Sequence, residues 1–228
     1  MVLGVRPASS ASILSLADLI RNAWFEARAS STRAMKIYTK TGDSGSSSLY
    51  NGERRRKTNA IFAALGDTDE CSSAIAIARE YVAELSHHDK KETIARTLEW
   101  VQSRLLDVGS CVATPPTSSD TKRQRTEFCE DHAQVLEDQI DQLNEELPPL
   151  TMFILPSGGK AASHLHLARS VCRRAERSVV AVALEEEDAS LHSVMKFLNR
   201  LSDYLFTAAR MCSVIAGRDE TTYRKVER

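Results

Sequence analysis

The sequence predicts an all-α protein, a bundle of five long helices. Three observations carry the prediction. Apolar residues recur at three- and four-residue spacing over five long segments. Proline- or glycine-containing breaks separate several of these segments. Almost no stretch alternates polar and apolar residues as a half-buried strand does. The first segment, residues 58–85, carries Ile61, Leu65, Ile75, Ala78, Val82 and Leu85 at helical spacing. The second, 91–112, places Ile94, Leu98, Val101, Leu105 and Val108 on one side and ends at Thr114-Pro115-Pro116. The third, 126–146, stops before Pro148-Pro149, because a proline has no amide to continue a helix. Phe153-Ile-Leu-Pro156-Ser157-Gly-Gly-Lys160 then turns the chain into the fourth helix, 159–184, with Ser157 placed to cap its first amides. An acidic turn, Glu185 to Asp188, precedes the fifth helix, 190–216, which carries Val194, Phe197, Leu198, Leu201, Leu205 and Ala208. Amphipathic helices joined by short links bury their stripes best against one another in a bundle. The chain divides into a leader at 1–34, a helical domain at 35–218 and a tail at 219–228.

Composition narrows the function. The 228 residues are 42% hydrophobic and 27% charged, with a formal net charge of −1. That is the balance of a soluble globular chain, and it argues against nucleic acid as a partner. No apolar run approaches the ~20 residues of a membrane span. Cys71, Cys111, Cys129, Cys172 and Cys212 are scattered and odd in number, which fits reduced thiols in a non-secretory compartment. The leader is rich in Ser and Ala, with Arg6, Arg21, Arg28 and Arg33 along it and Ile13, Leu16, Leu19, Ile20 and Trp24 on one helical face. It resembles a mitochondrial transit peptide and so points to the matrix. Asp18 and Glu26 count against that, and the other reading is an ordinary N-terminal extension of a cytoplasmic protein.

Chemistry concentrates in a few places. On the fourth helix Arg169, Arg173, Glu176 and Arg177 fall within one arc of about 100°. Leu165, Ala168, Val171, Cys172, Ala175 and Val179 occupy the adjoining arc and face a core. A cationic stripe beside an apolar one suits a polyanion, since guanidinium forks match phosphate oxygens in pairs; a solvated basic face is the alternative. The loop from Lys36 to Ser48 has the Gly, Ser and Thr content of a phosphate cradle but is not a P-loop, and Ala161 follows the Gly159-Lys160 pair. Arg54 to Arg56 read as a solvated basic cluster just before Lys57. Asp67, Asp69 and Glu70 interrupt an apolar run and require partners if buried; Asp69 could answer an arginine of the stripe, in this subunit or a neighbour. Asn199 and Asp203 lie four apart on one face, with Arg200 turned about 100° away. The single ExxH, Glu84 to His87, lacks a second copy, and His164 and His166 point apart, so no resident metal site is expected.

Four segments in one order resemble the PduO-type ATP:corrinoid adenosyltransferases: Tyr38-Thr-Lys-Thr-Gly-Asp43, Gly66-Asp-Thr-Asp-Glu70, Phe153-Ile-Leu-Pro-Ser-Gly-Gly159 with Arg169-Ser-Val-Cys-Arg-Arg-Ala-Glu-Arg177, and Phe197-Leu-Asn-Arg-Leu-Ser-Asp203. They span residues 36–216, and the stretch 148–180 is most similar to the human mitochondrial member. The resemblance implies a five-helix bundle that assembles as a homotrimer with active sites between subunits. It implies that Thr39, Lys40, Thr41, Gly42, Ser47 and Lys57 hold ATP from the N-terminal side. The segment Arg173, Arg174, Ala175, Glu176 and Arg177, with Asn199, would hold it from the helices, although the Arg174 side chain points away from the stripe. Arg169 and Asp69 match a pair that bridges subunits near the corrinoid; Phe153 matches an aromatic residue that covers the corrinoid's lower face, and Asp203 joins the cobalamin set. Arg173, Arg169, Asp69 and Asn199 are the expected catalytic residues. Family loops carry Lys or Arg where Ser44 stands, which removes one cation without touching the main-chain cradle.

The implied reaction joins cobalt to the 5′ carbon of ATP and releases triphosphate, with Mg2+ accompanying ATP and cobalamin as the acceptor. Co(I) is the nucleophile, so no Ser, Cys or His base is needed. An external reductase supplies the electron and a downstream mutase takes the product. Two rivals remain at this point: a regulator that binds ATP and cobalamin without chemistry, and a structural or metal-storage bundle.

Overall fold

The computed structural model describes residues 38 and 40–225. The leader's expected helix and Thr39 lie outside the described residues. Contacts divide the chain into Met1–Lys40 and Thr41–Arg228. Within the first unit, Lys40 has φ of 58° and its ammonium stands 5.9 Å from the Tyr38 ring centroid.

The second unit opens with a hairpin that was not expected. Strand β1 (Ser46–Ser48) pairs antiparallel with β2 (Arg54–Arg56), in the register Ser46↔Arg56, Ser47↔Arg55 and Ser48↔Arg54. Each strand has three residues, too few for an alternating pattern to register, and Ser and Arg give it no apolar face. The apolar residue that anchors it is Leu49, 4% exposed.

Six α-helices follow among the described residues. Helix α1 (Ala60–Ala83) starts where the Asn59 side chain accepts from the Ile61 amide, a conventional N-cap. Helix α2 (Asp89–Val112) is capped by the His88 ring nitrogen, which accepts from the Lys90 amide. A short helix that the spacing does not predict, α3 (Asp120–Thr126), comes next, and the third expected helix is α4 (His132–Asn144), which starts six residues later than the periodicity suggests. Phe128 in the intervening segment is 4% exposed and packs at 5.2 Å from Phe197 and 5.0 Å from His132. Burying that ring, at about 1.5–3 kcal/mol for a side chain of its kind, outweighs one more turn of helix. Helix α5 (Lys160–Glu185) and helix α6 (His192–Ile215), the latter led by a 3-10 turn at Ala189–Leu191, match the fourth and fifth expected helices within two residues.

Ser157 does not cap α5. Gly159, with φ of 95°, takes the N-cap position. The Ser157 hydroxyl donates to the Leu155 carbonyl and accepts from the Thr221 amide at 2.8 Å. The tail is thereby tied to the turn before α5. Ile154 and Thr222 form an antiparallel bridge, the Tyr223 amide donates to the Phe153 carbonyl, and buried Arg210 of α6 holds Glu220 and the Pro148 carbonyl.

Helix α5 packs between α1 and α6, α2 lies on α1, and α4 lies on α6. The core they share contains Ile75, Leu98, Leu165, Phe197, Tyr204 and Leu205, all fully buried. Helix α6 buries most of its circumference, including Arg210, as a central helix must. No described helix is long and apolar enough to cross a membrane.

Candidate active site

The phosphate-cradle loop is built by its own backbone and by β2. The Gly45 amide donates to the Gly42 carbonyl and the Lys57 amide to the Gly45 carbonyl, at 3.2 and 2.9 Å. The Lys57 ammonium lies so close over Gly42 that a Cβ there would stand 3.2 Å from Nζ. Arg54 donates to the carbonyls of Thr41 and Ser46 and to the Ser46 hydroxyl, closing the loop from β2. Arg55 is bound by Glu53 and, across 131 residues, by Glu186 at the end of α5. Arg55 is therefore not solvated as the sequence suggested, whereas Arg54 and Arg56 are exposed, Arg54 while bound to the loop. The pairing with Glu53 and then Glu186 holds the Arg55 guanidinium above its ordinary pKa.

The stripe on α5 is real, and its members differ. Arg173 and Arg177 are exposed, and Arg177 donates to the Arg173 carbonyl at 3.0 Å, which fixes its base along the helix. Asn199 of α6 donates to Glu176 at 2.9 Å, so the carboxylate and the amide form one oriented pair beside the two guanidinium groups. Two members of the expected ATP segment lie elsewhere. Ala175 is fully buried in the core. Arg174 turns to α1, where Asp67 and Glu70 bind it, and Ser178 donates to Asp67 from the next turn. Two acids of the interrupted apolar run are thereby paired within the chain, which meets the cost of setting them at a helix contact.

Asp69 takes no part in that network. It is exposed and lines a cavity of about 420 Å³ with Tyr50, Leu65, Thr68, Leu105 and Leu106. Arg169 is half-buried, its Nε has no hydrogen-bond partner, and its guanidinium stands 6.0 Å from the Phe206 ring centroid. No ion pair joins Arg169 to Asp69 within the chain, among the described residues. Phe153 is 84% exposed and is held at the bundle end by the tail. Asp203 shares a helix face with Asn199 but takes another partner: Arg200 donates to it at 2.6 Å while also holding Glu137 of α4. A larger cavity, about 770 Å³ between Arg123, Phe128, Ser190 and His192, contains none of the expected residues. Its volume exceeds that of the Asp69 cavity.

Three thiols, Cys111, Cys172 and Cys212, are not poised as nucleophiles. The Cys172 thiol is pushed well up by its hydrogen bond with Cys71 and by burial, and it donates to the Leu198 carbonyl. Burial pushes Cys111 to about 11 and Cys212 to about 12. What the geometry offers is an exposed pair of guanidinium groups, an Asn–Glu pair and a backbone-lined loop with a lysine. That set can position and neutralise a polyphosphate.

The chain is similar to known proteins in both sequence and fold. The family model described as cobalamin adenosyltransferase matches residues 37–212. Corrinoid adenosyltransferase MMAB of Homo sapiens is 51% identical over 195 residues, covering 85% of this chain and 75% of the relative. Corrinoid adenosyltransferase of Bacillus subtilis is 40% identical over 192 residues, 84% of this chain and 93% of the relative. Among solved structures, a variant PduO-type ATP:corrinoid adenosyltransferase from Lactobacillus reuteri, complexed with cobalamin and ATP, superposes with a TM-score of 0.73 at 34% identity. That likeness covers 83% of this chain and all of the other. With the family model matching residues 37–212 and relatives at 40–51% identity over most of its length, the chain belongs to the cobalamin adenosyltransferase family.

Proposed function

We propose that this protein transfers the 5′-deoxyadenosyl group of ATP to the cobalt of reduced cobalamin, giving adenosylcobalamin and triphosphate. The observation that carries the reading is the exposed Arg173–Arg177 pair beside Glu176 and Asn199 on facing turns of α5 and α6. In the reaction the Co(I) electron pair forms the Co–C5′ bond as the C5′–O bond breaks, and the oxygen leaves with triphosphate. No proton moves in that step, which fits a site without an activated Ser, Cys or His. The work left to the protein is to align C5′ with cobalt and to stabilise charge on the leaving group.

Roles follow from position. Thr41, Gly42, Ser47 and Lys57 cradle the triphosphate from the N-terminal loop, and the family motif alone assigns Thr39 and Lys40 to ATP. Arg173 and Arg177 neutralise it from α5, and the Glu176–Asn199 pair receives the ribose and base. Magnesium enters with ATP as part of the substrate, held by phosphate oxygens and water. No cluster of three His, Cys, Asp or Glu side chains suited to a metal occurs among the described residues. Phe153 covers the lower face of the corrinoid and keeps water and the lower base off cobalt, so that four-coordinate Co(II) is reduced more easily. Asp203, 51% exposed despite Arg200, retains acceptor capacity toward an amide of the corrinoid.

Among the described residues, neither Arg169 nor Asp69 has an ionic partner in its own chain. That supports a homotrimer in which they meet across the subunit boundary and complete the corrinoid site. A separate reductase delivers the electron, a mutase receives the product, and the composition of the leader supports work in the mitochondrial matrix. A cob(I)alamin assay with ATP and magnesium, following adenosylcobalamin by absorbance and triphosphate by chromatography, tests the reading; a protein that only binds and delivers cofactor releases no triphosphate. Asp69→Asn is expected to raise KM for cobalamin about tenfold, the worth of one charge-assisted hydrogen bond, with KM for ATP unchanged. Equal loss for both substrates would place Asp69 in the scaffold instead.

A further inference from the structure

The arginines of β2 make the contacts that close the loop and tie it to α5. Successive strand residues point to opposite faces. Arg54 reaches back to Thr41 and Ser46 and closes the loop. Arg55 reaches the other way, to Glu186 at the C-cap of α5. Both Arg55 and Glu186 side chains are only 16% exposed. A carboxylate at a helix C-terminus opposes the helix dipole, so Glu186 gains nothing from α5 alone. The residue after it, Glu187, is held at φ of 51°, a costly conformation for a side chain of its kind. Arg55 offsets the charge and is the group that gives Glu186 a reason to stand there.

The pair fastens the loop to a rigid element. Ser47 is the direct cross-strand partner of Arg55, and Lys57 lies two residues beyond it. We propose that Arg55 and Glu186 form a clamp that fixes the phosphate-cradle loop on the C-terminal end of α5, and so act as positioning residues for the triphosphate of ATP. This rests on the functional reading above and deepens it. The clamp is separable from the fold, because the hairpin tip has its own anchors. Leu49 is buried, the Tyr50 amide donates to the Ala113 carbonyl, and Lys122 donates to the Asn51 carbonyl.

The test uses Arg55→Gln, Glu186→Gln, the double variant, and Glu53→Gln as a control. Glu53 also binds Arg55 but belongs to the hairpin and does not reach α5. Each clamp single is expected to weaken ATP about tenfold, in KM and in calorimetric titration, as loss of a charge-assisted contact does. The double variant is expected to be no weaker than the weaker single, with kcat at saturating ATP, KM for cobalamin and the Glu53→Gln values unchanged. Additive losses, an undisturbed ATP affinity, or a joint fall in both substrates would overturn the clamp. Failure of the wild-type protein to make adenosylcobalamin would instead remove the functional reading. Amide-exchange protection over residues 41–48 then still decides the clamp: both singles lose it if the clamp holds, and keep it if not.

Discussion

Arg173→Ala is expected to lower kcat for adenosylcobalamin formation by about two to three orders of magnitude, the usual cost of removing one donor aimed at developing charge. Arg173 is exposed on α5 and no ion pair within the chain involves it among the described residues, so its removal leaves the core intact. Melting temperature and helix content should match the wild type, which separates a chemical loss from a folding one. The larger share of the loss should fall on kcat, because charge on the triphosphate grows as the C5′–O bond breaks. Arg173→Lys should recover only part of the activity, since an ammonium keeps the charge and loses the fork. Wild-type turnover in Arg173→Ala would sink the assignment of the stripe.

Gly158→Ala is expected to destabilise the protein by about 3 kcal/mol, from overpacking and from backbone strain together. Its φ is +87°, and an added Cβ would sit 1.7 Å from the Ser213 hydroxyl oxygen and 2.7 Å from the Ser213 Cβ. Ser213 is buried in α6 with its hydroxyl bound to the Ala209 carbonyl, so it has no room to retreat. In a chain of this size that cost corresponds to a fall in melting temperature of roughly 6–12 °C. Ser213→Gly in the Gly158→Ala background should restore part of the loss by removing the opposing Cβ. The same contact matters for function. It seats the turn before α5 against α6, five residues from Phe153, and displacing it moves the ring assigned to the corrinoid. A variant that melts like the wild type would mean that this turn is not pressed against α6.

Most of the helical framework was legible because periodicity is a local property. Helices α1, α2, α5 and α6 fall within two residues of their expected ends at most termini, each with a stripe that faces the core. The region 126–146 was misread for a tertiary reason: Phe128 leaves the helical path to pack on Phe197, about seventy residues away. The hairpin escaped notice because three-residue strands of Ser and Arg carry no period-2 signal. Ser157 looked like a cap by position, yet its hydroxyl is bound to Leu155 and the tail.

By itself, then, the sequence determined the four long helices and the basic stripe, since each follows from spacing along one segment, and its four motifs carried the resemblance to the family. Only the tertiary structure decided how identical residue types divide their work. Arg173 and Arg174 are adjacent, but one meets solvent and the other meets Asp67 and Glu70. Arg55 became a link to α5 only once Glu186 lay beside it. The physical reason is that a guanidinium's role is set by which carboxylate or anion lies within a few ångströms, and that neighbour comes from elsewhere in the chain.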